Sequence, residues 1–233
     1  MSVGDQTAGL ARAELSDRGS RGGGRDGADL EAGRSTRTDP VSDRAEKPER
    51  TPSTPLPVPR RGSGKTRIAF GGTPAFGEGP LIRYRVEVER ELPFDPDEVA
   101  QVVDATLRDE RSWAAHGKAT FQRVSDGSAD LRIIVATPAT TDRLCYPLDT
   151  GGKVSCRNQD VVALNADRWN VGVKAYDDIT AYRHYLVNHE VGHFLGHDHT
   201  DCAGPGKKAP VMMQQTKGVG ECRPNPWPLP SEF

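Results

Sequence analysis

One run constrains this chain more than any other: His189-Glu190-Val191-Gly192-His193-Phe194-Leu195-Gly196-His197-Asp198-His199. Five of the six histidines lie between His184 and His199. His189 and His193 are four residues apart. On an α-helix that is about 400° of rotation and about 6 Å of rise, so both imidazoles stand on one face. They can then reach a single Zn²⁺ at about 2.0–2.1 Å. Glu190 sits about 100° round from His189. That places it beside the ion, where it can take a proton from a water activated there. Gly196 lets the chain leave the helix with a positive φ, and the turn can return His199 as third ligand. His197 competes for that place, but its spacing from His193 keeps it on the same helical run. A solvated, histidine-rich helix end would leave the offsets of Glu190 and Gly196 unexplained.

The 233 residues divide into two compositional regimes. Residues 1–77 are rich in Gly, Ser, Pro, Thr, Arg and Asp and poor in large apolar side chains. Such a stretch cannot bury enough surface to offset chain entropy, so it reads as a disordered tail or linker. It carries 13 Lys+Arg and 10 Asp+Glu, near +3, and the remainder carries 18 and 23, near −5. Neither balance is the footprint of a nucleic-acid binder. Gly62-Ser63-Gly64-Lys65-Thr66 resembles part of a phosphate-binding loop. Pro59 stands where that loop needs glycine, and no apolar strand precedes it, so it reads as linker.

The folded domain is expected over residues 78–233. Leu81 to Leu92 alternates apolar and charged residues, as a half-buried strand does. Asp95-Pro96 opens a helix with Val99, Val102, Val103 and Leu107 on its apolar stripe. Trp113 reads as core. Phe121–Val124, Leu131–Ala136 and Asp160–Asn165 read as strands, the second buried on both faces. Asp142 to Arg157 reads as a loop and hairpin, and Thr180 to Leu195 as the helix carrying the histidines. The proline-rich end around Trp227 cannot be helical and is expected to pack across the domain. All four cysteines lie in this part: Cys145, Cys156, Cys202 and Cys222. Neighbours in sequence suggest the pairs Cys145–Cys156 and Cys202–Cys222, and hence an oxidising, extracellular or cell-envelope setting. No signal peptide is visible in the first 30 residues, and no apolar run is long enough to span a membrane.

The run at 189–199 has the form H-E-x-x-H-x-x-G-x-x-H and so resembles the zinc-binding signature of metzincin metalloproteases. The resemblance implies zinc held by His189, His193 and His199, with Glu190 as general base and Gly196 as the turn glycine. Metzincins carry a methionine-containing turn beneath the metal. Pro210-Val211-Met212-Met213-Gln214 matches it with Met212 as the turn methionine and Met213 as the alternate. Asp160 to Trp169 looks like the strand before the active-site helix in matrixin-type members. The implied fold is α+β, a metzincin-like zincin: a twisted mixed β-sheet with two main helices, the second bearing the zinc site. A small irregular C-terminal subdomain would hold the Met-turn. The domain also resembles an uncharacterised family of actinobacterial exported proteins.

Three departures from the pattern stand out. The gap from His199 to Met212 is longer than in matrixins. No tyrosine follows the methionine as an astacin-like switching ligand. The tail has no cysteine for thiolate latency. The expected function is zinc-dependent endopeptidase action on a peptide or protein lying extended along an edge strand near Gly152–Arg157. The chain is expected to act as a monomer, with no nucleic-acid partner. The alternative is a zinc-binding cell-envelope domain that is non-catalytic or highly selective.

Overall fold

The computed structural model describes residues 55–233. Residues 1–54, most of the expected tail, lie outside the described residues. Among those described, the strands are β1 (Thr66–Ile68), β2 (Phe76–Gly77), β3 (Leu81–Glu89), β4 (Thr120–Arg123), β5 (Leu131–Ala136), β6 (Cys156–Asn158) and β7 (Val161–Asn165). The helices are α1 (Pro96–Leu107), α2 (Pro138–Cys145), α3 (Ala166–Val171) and α4 (Ile179–Phe194). The strands form one mixed sheet in the order β2-β4-β3-β5-β7-β6, with β1 also paired to β3. β4, β3, β5 and β7 run parallel, and β1, β2 and β6 are antiparallel to their neighbours. The fold is α+β.

The sequence explains the core. Asp95 caps α1, its carboxylate accepting from the Asp97 and Glu98 amides, and Val99, Val103 and Leu107 face inward. Alternate strand residues share this core: Tyr84, Val86 and Val88 of β3, Leu131, Ile133 and Val135 of β5, and Val162 and Leu164 of β7. α4 runs through it, with Tyr182 and residues 185–192 buried. On β7, the intervening Ala163 packs instead with Cys145 and Cys156. Ile134 is also buried, as the continuous run in β5 implies.

Two expectations need correction. Residues 55–77 do not belong to a disordered tail. β1 and β2 lie within them, and their hydrogen bonds supply what their composition lacks. The Leu56 backbone exchanges two hydrogen bonds with the Asn170 side chain, and the Ala139 amide donates to the Arg60 carbonyl. The Gly64 amide donates to the buried Glu89 carboxylate, which occupies the loop that resembled a phosphate cradle. The C-terminal part of the polar side of β3 is accordingly buried. Glu87 accepts from Arg132, Arg85 and Thr66, and Glu89 from Thr137 and Thr140. The second correction is local. Asp142 to Arg157 is no simple hairpin, because α2 extends to Cys145, entered through Pro138 at its first turn.

The Glu87 cluster yields a pH prediction. Burial alone would raise its pKa, but hydrogen bonds from Arg132, Thr66 and Arg85 outweigh that and hold it below the ordinary 4.5. A depressed folded pKa gives stability that is complete above the unfolded value and lost as pH falls through the folded one. Glu87→Gln is therefore expected to lower Tm by roughly 5 °C at pH 7. The difference from wild type should shrink below pH 4.5. Thermal unfolding across pH 2–7 checks it, and a pH-independent difference would refute it.

Candidate metal centre

The site grows from the C-terminal half of α4. Asp178 caps its start by accepting from the Thr180 amide. At the far end Leu195 is the last cap residue, and Gly196 turns the chain at φ +94°. Only glycine adopts that conformation without strain. The turn returns residues 197–199 toward the helix. One donor nitrogen each of His189, His193 and His199 lies within 4.8 Å of the others. His197 does not join them. Its ring stacks on Trp113 at 4.5 Å.

Hydrogen bonds set which nitrogens face the cluster. The Nδ1–H of His189 donates to the Val211 carbonyl, and that of His193 to the His197 carbonyl, both at 2.8 Å. With the proton on Nδ1, the Nε2 lone pairs are free. Nε2 of His193 stands 3.0 Å from Nε2 of His199, a spacing that a shared proton or a shared cation satisfies. Burial lowers the pKa of all three rings, that of His189 to about 3. They are thus neutral ligand groups at pH 7. Zinc bonds of about 2.0–2.1 Å in a tetrahedron need nitrogens about 3.4 Å apart. One spacing here is 3.0 Å and none exceeds 4.8 Å, so the three nitrogens lie within reach of such an ion.

Glu190 is buried next to His189, and its Oε2 has no hydrogen-bond partner among the described residues. Removal from water pushes its pKa up to about 8. A cleft of about 450 Å³ opens over these groups. Its apolar lining includes Leu148, Val154 and Tyr185, and Arg157 and Lys217 bring positive charge. One side is β6, an edge strand of the sheet. The Cys145–Cys156 disulfide ties β6 to the end of α2, and Cys202–Cys222 closes the loop after His199. Both pairs are those that sequence neighbours suggest.

Met212 is buried and its neighbour Met213 is half-buried. A Cβ on Gly192 would collide with the Met212 sulfur and meet Trp113 at 2.9 Å. Glycine at 192 is what lets this turn lie against the helix. The Met212 carbonyl accepts from the Thr200 amide, linking the turn to the segment just past His199. Sequence reasoning missed the groups that hold the turn. Gln215 donates to the carbonyls of Pro210 and Asn225 and accepts from Tyr176 and the Asn225 amide. Tyr185 donates to the Met213 carbonyl and accepts from the Gln215 amide. Glu232 accepts from the amides of Val211 and Met212. No spacing rule links positions so far apart in sequence.

Fold and site together define a class: an α+β domain with a three-histidine candidate metal centre built by its last long helix and the turn that follows. The family described as protein of unknown function (DUF3152) matches residues 53–223, and the chain belongs to it. No curated protein matches the chain. No helix among the described residues is long and apolar enough to cross a membrane, and all four cysteines are paired.

Proposed function

We propose that this protein is a zinc-dependent metalloendopeptidase of the metzincin type. The observation that carries the reading is one juxtaposition. Three neutral imidazoles converge within 4.8 Å, and beside them a buried carboxylate has an oxygen without a partner among the described residues. A metal site alone needs no such carboxylate, and burying one costs stability. The chemistry a bound zinc supplies is Lewis acidity, which acidifies a water and polarises a carbonyl. The chain's own residues do the rest. His189 and His193 present Nε2 because Val211 and His197 hold their Nδ1–H groups. Glu190 receives the proton of the attacking water at its free oxygen and returns it to the leaving amine. The peptide lies extended along β6, whose outer edge can pair with it by strand addition. The fold fits the same reading: a mixed sheet with an antiparallel edge strand, a histidine-bearing helix and a methionine turn packed on it. Two disulfides suit an extracellular or cell-envelope setting.

Metal analysis and peptide hydrolysis on one purified sample test this. The expected result is one zinc per chain and cleavage of peptides from a broad library. Chelation should stop cleavage and added zinc restore it. One zinc with no cleavage would favour the zinc-binding, non-catalytic alternative. No zinc before or after adding it back would refute the reading.

A further inference from the structure

We infer that the adjacent residues Glu232 and Phe233 are positioning residues for the metal centre, supporting two of its ligands from behind. The inference rests on reading His189, His193 and His199 as metal ligands. Each of the first two histidines is oriented by one backbone carbonyl: Val211 for His189, His197 for His193. Neither carbonyl belongs to a regular element, so something else must hold it still.

The buried Glu232 carboxylate holds the first. It accepts from the Val211 amide at 3.0 Å and from the Met212 amide at 2.8 Å. It also accepts from the Leu229 amide at 2.7 Å, which locks its own turn. Three amide donors converging on one carboxylate make charge-assisted bonds, the stronger kind. The peptide plane carrying the Val211 carbonyl ends at the Met212 amide. Fixing that amide therefore fixes the direction of the carbonyl toward His189.

Phe233 supports the second carbonyl through a stack of rings. It lies on His116 at 3.7 Å and edge-on to Trp113 at 5.6 Å. Trp113 is anchored by its Nε1–H to the Asn188 carbonyl and carries the His197 ring on its face. The His197 backbone is held between its stacked ring and its amide bond to the Gly192 carbonyl. Its own carbonyl then points at His193. Both supports come from one dipeptide, more than 30 residues beyond the last proposed ligand.

The test measures zinc affinity by competition with a chromogenic chelator, on full-length wild type, Glu232→Gln, Phe233→Ala and Glu87→Gln. A glutamine at 232 keeps the size but turns an N–H₂ group toward amide donors. Zinc affinity is expected to fall about 10–100-fold in Glu232→Gln, and about 3–10-fold in Phe233→Ala, which acts one layer further out. Glu87→Gln, which loosens the far side of the sheet, should lose Tm yet keep wild-type zinc affinity. In zinc-free protein the exchange-protected Nδ1–H resonance of His189 should weaken in Glu232→Gln and persist in Glu87→Gln. Zinc affinity unchanged in both Glu232→Gln and Phe233→Ala would overturn the inference while leaving the metal site standing. An equal loss in Glu87→Gln would reduce it to general stability. If Glu232→Gln does not fold, Phe233→Ala decides alone. Wild type that binds no zinc would overturn the metal reading and this inference together.

Discussion

Replacing Glu190 with alanine is expected to lower peptide hydrolysis by about 10²–10⁴-fold while one zinc per chain remains bound. The proposed ligands His189 and His193 lie on the same helix and His199 on the segment after Gly196, and the orienting bonds of the first two run to Val211 and His197. None passes through Glu190. The same change should leave the Tm of the zinc-free protein unaltered or raise it. Glu190 is buried, and its Oε2 has no partner among the described residues, so the folded state carries a desolvation cost that alanine removes. Lost activity with retained or increased stability marks a residue kept for chemistry, and a purely structural carboxylate would show the reverse. Cleavage assay, metal analysis and thermal unfolding of the one variant decide it. Cleavage at the wild-type rate would end the role of Glu190 as base.

Trp113→Ala should have the largest effect on stability. The indole is fully buried, touches the Gly192–Met212 crossing, and donates to the Asn188 carbonyl in α4. Truncating a buried tryptophan costs about 3–5 kcal/mol through lost burial and the cavity left behind. For a domain of this size that is a Tm fall of roughly 10 °C. Because His197 stacks on this ring, zinc affinity should fall as well. Val103→Ala, a core truncation in α1, should lower Tm without that second effect. Thermal unfolding with chelator competition separates the two. A Trp113 variant with lowered Tm and wild-type zinc affinity would show that the stack does not reach the site.

Much of the architecture was legible because it rests on local rules. The cap at Asp95 followed by Pro96, the stripe Val99–Val103–Leu107 and the apolar run of β5 each report secondary structure through nearest neighbours. The cysteine pairs were readable for a similar reason: each closes a short loop. α2 was not readable. Its sequence, Pro-Ala-Thr-Thr-Asp-Arg-Leu-Cys, has a weak apolar stripe, and the helix depends on packing against β6 and β7. Residues 55–77 deceived for the opposite reason. Their composition is that of a linker, and their order comes from partners more than 20 residues away, such as Glu89 for Gly64 and Asn170 for Leu56.

By itself, then, the sequence determined that one helix would carry His189, Glu190 and His193 at fixed angular offsets, and that Gly196 would turn the chain after it. Helical periodicity and the φ preference of glycine are properties of the local backbone, and they act wherever those residues fall. The run 189–199 already favoured His199 over His197 as the third partner, and the tertiary structure decided what holds His197 aside. The deciding contact is the Trp113 face, 84 residues away, which holds the His197 ring. It also decided that Val211 and His197 would lend their carbonyls, and that Glu232 and Phe233 would stand behind them. Such contacts join segments that no local periodicity connects, so packing alone could select them.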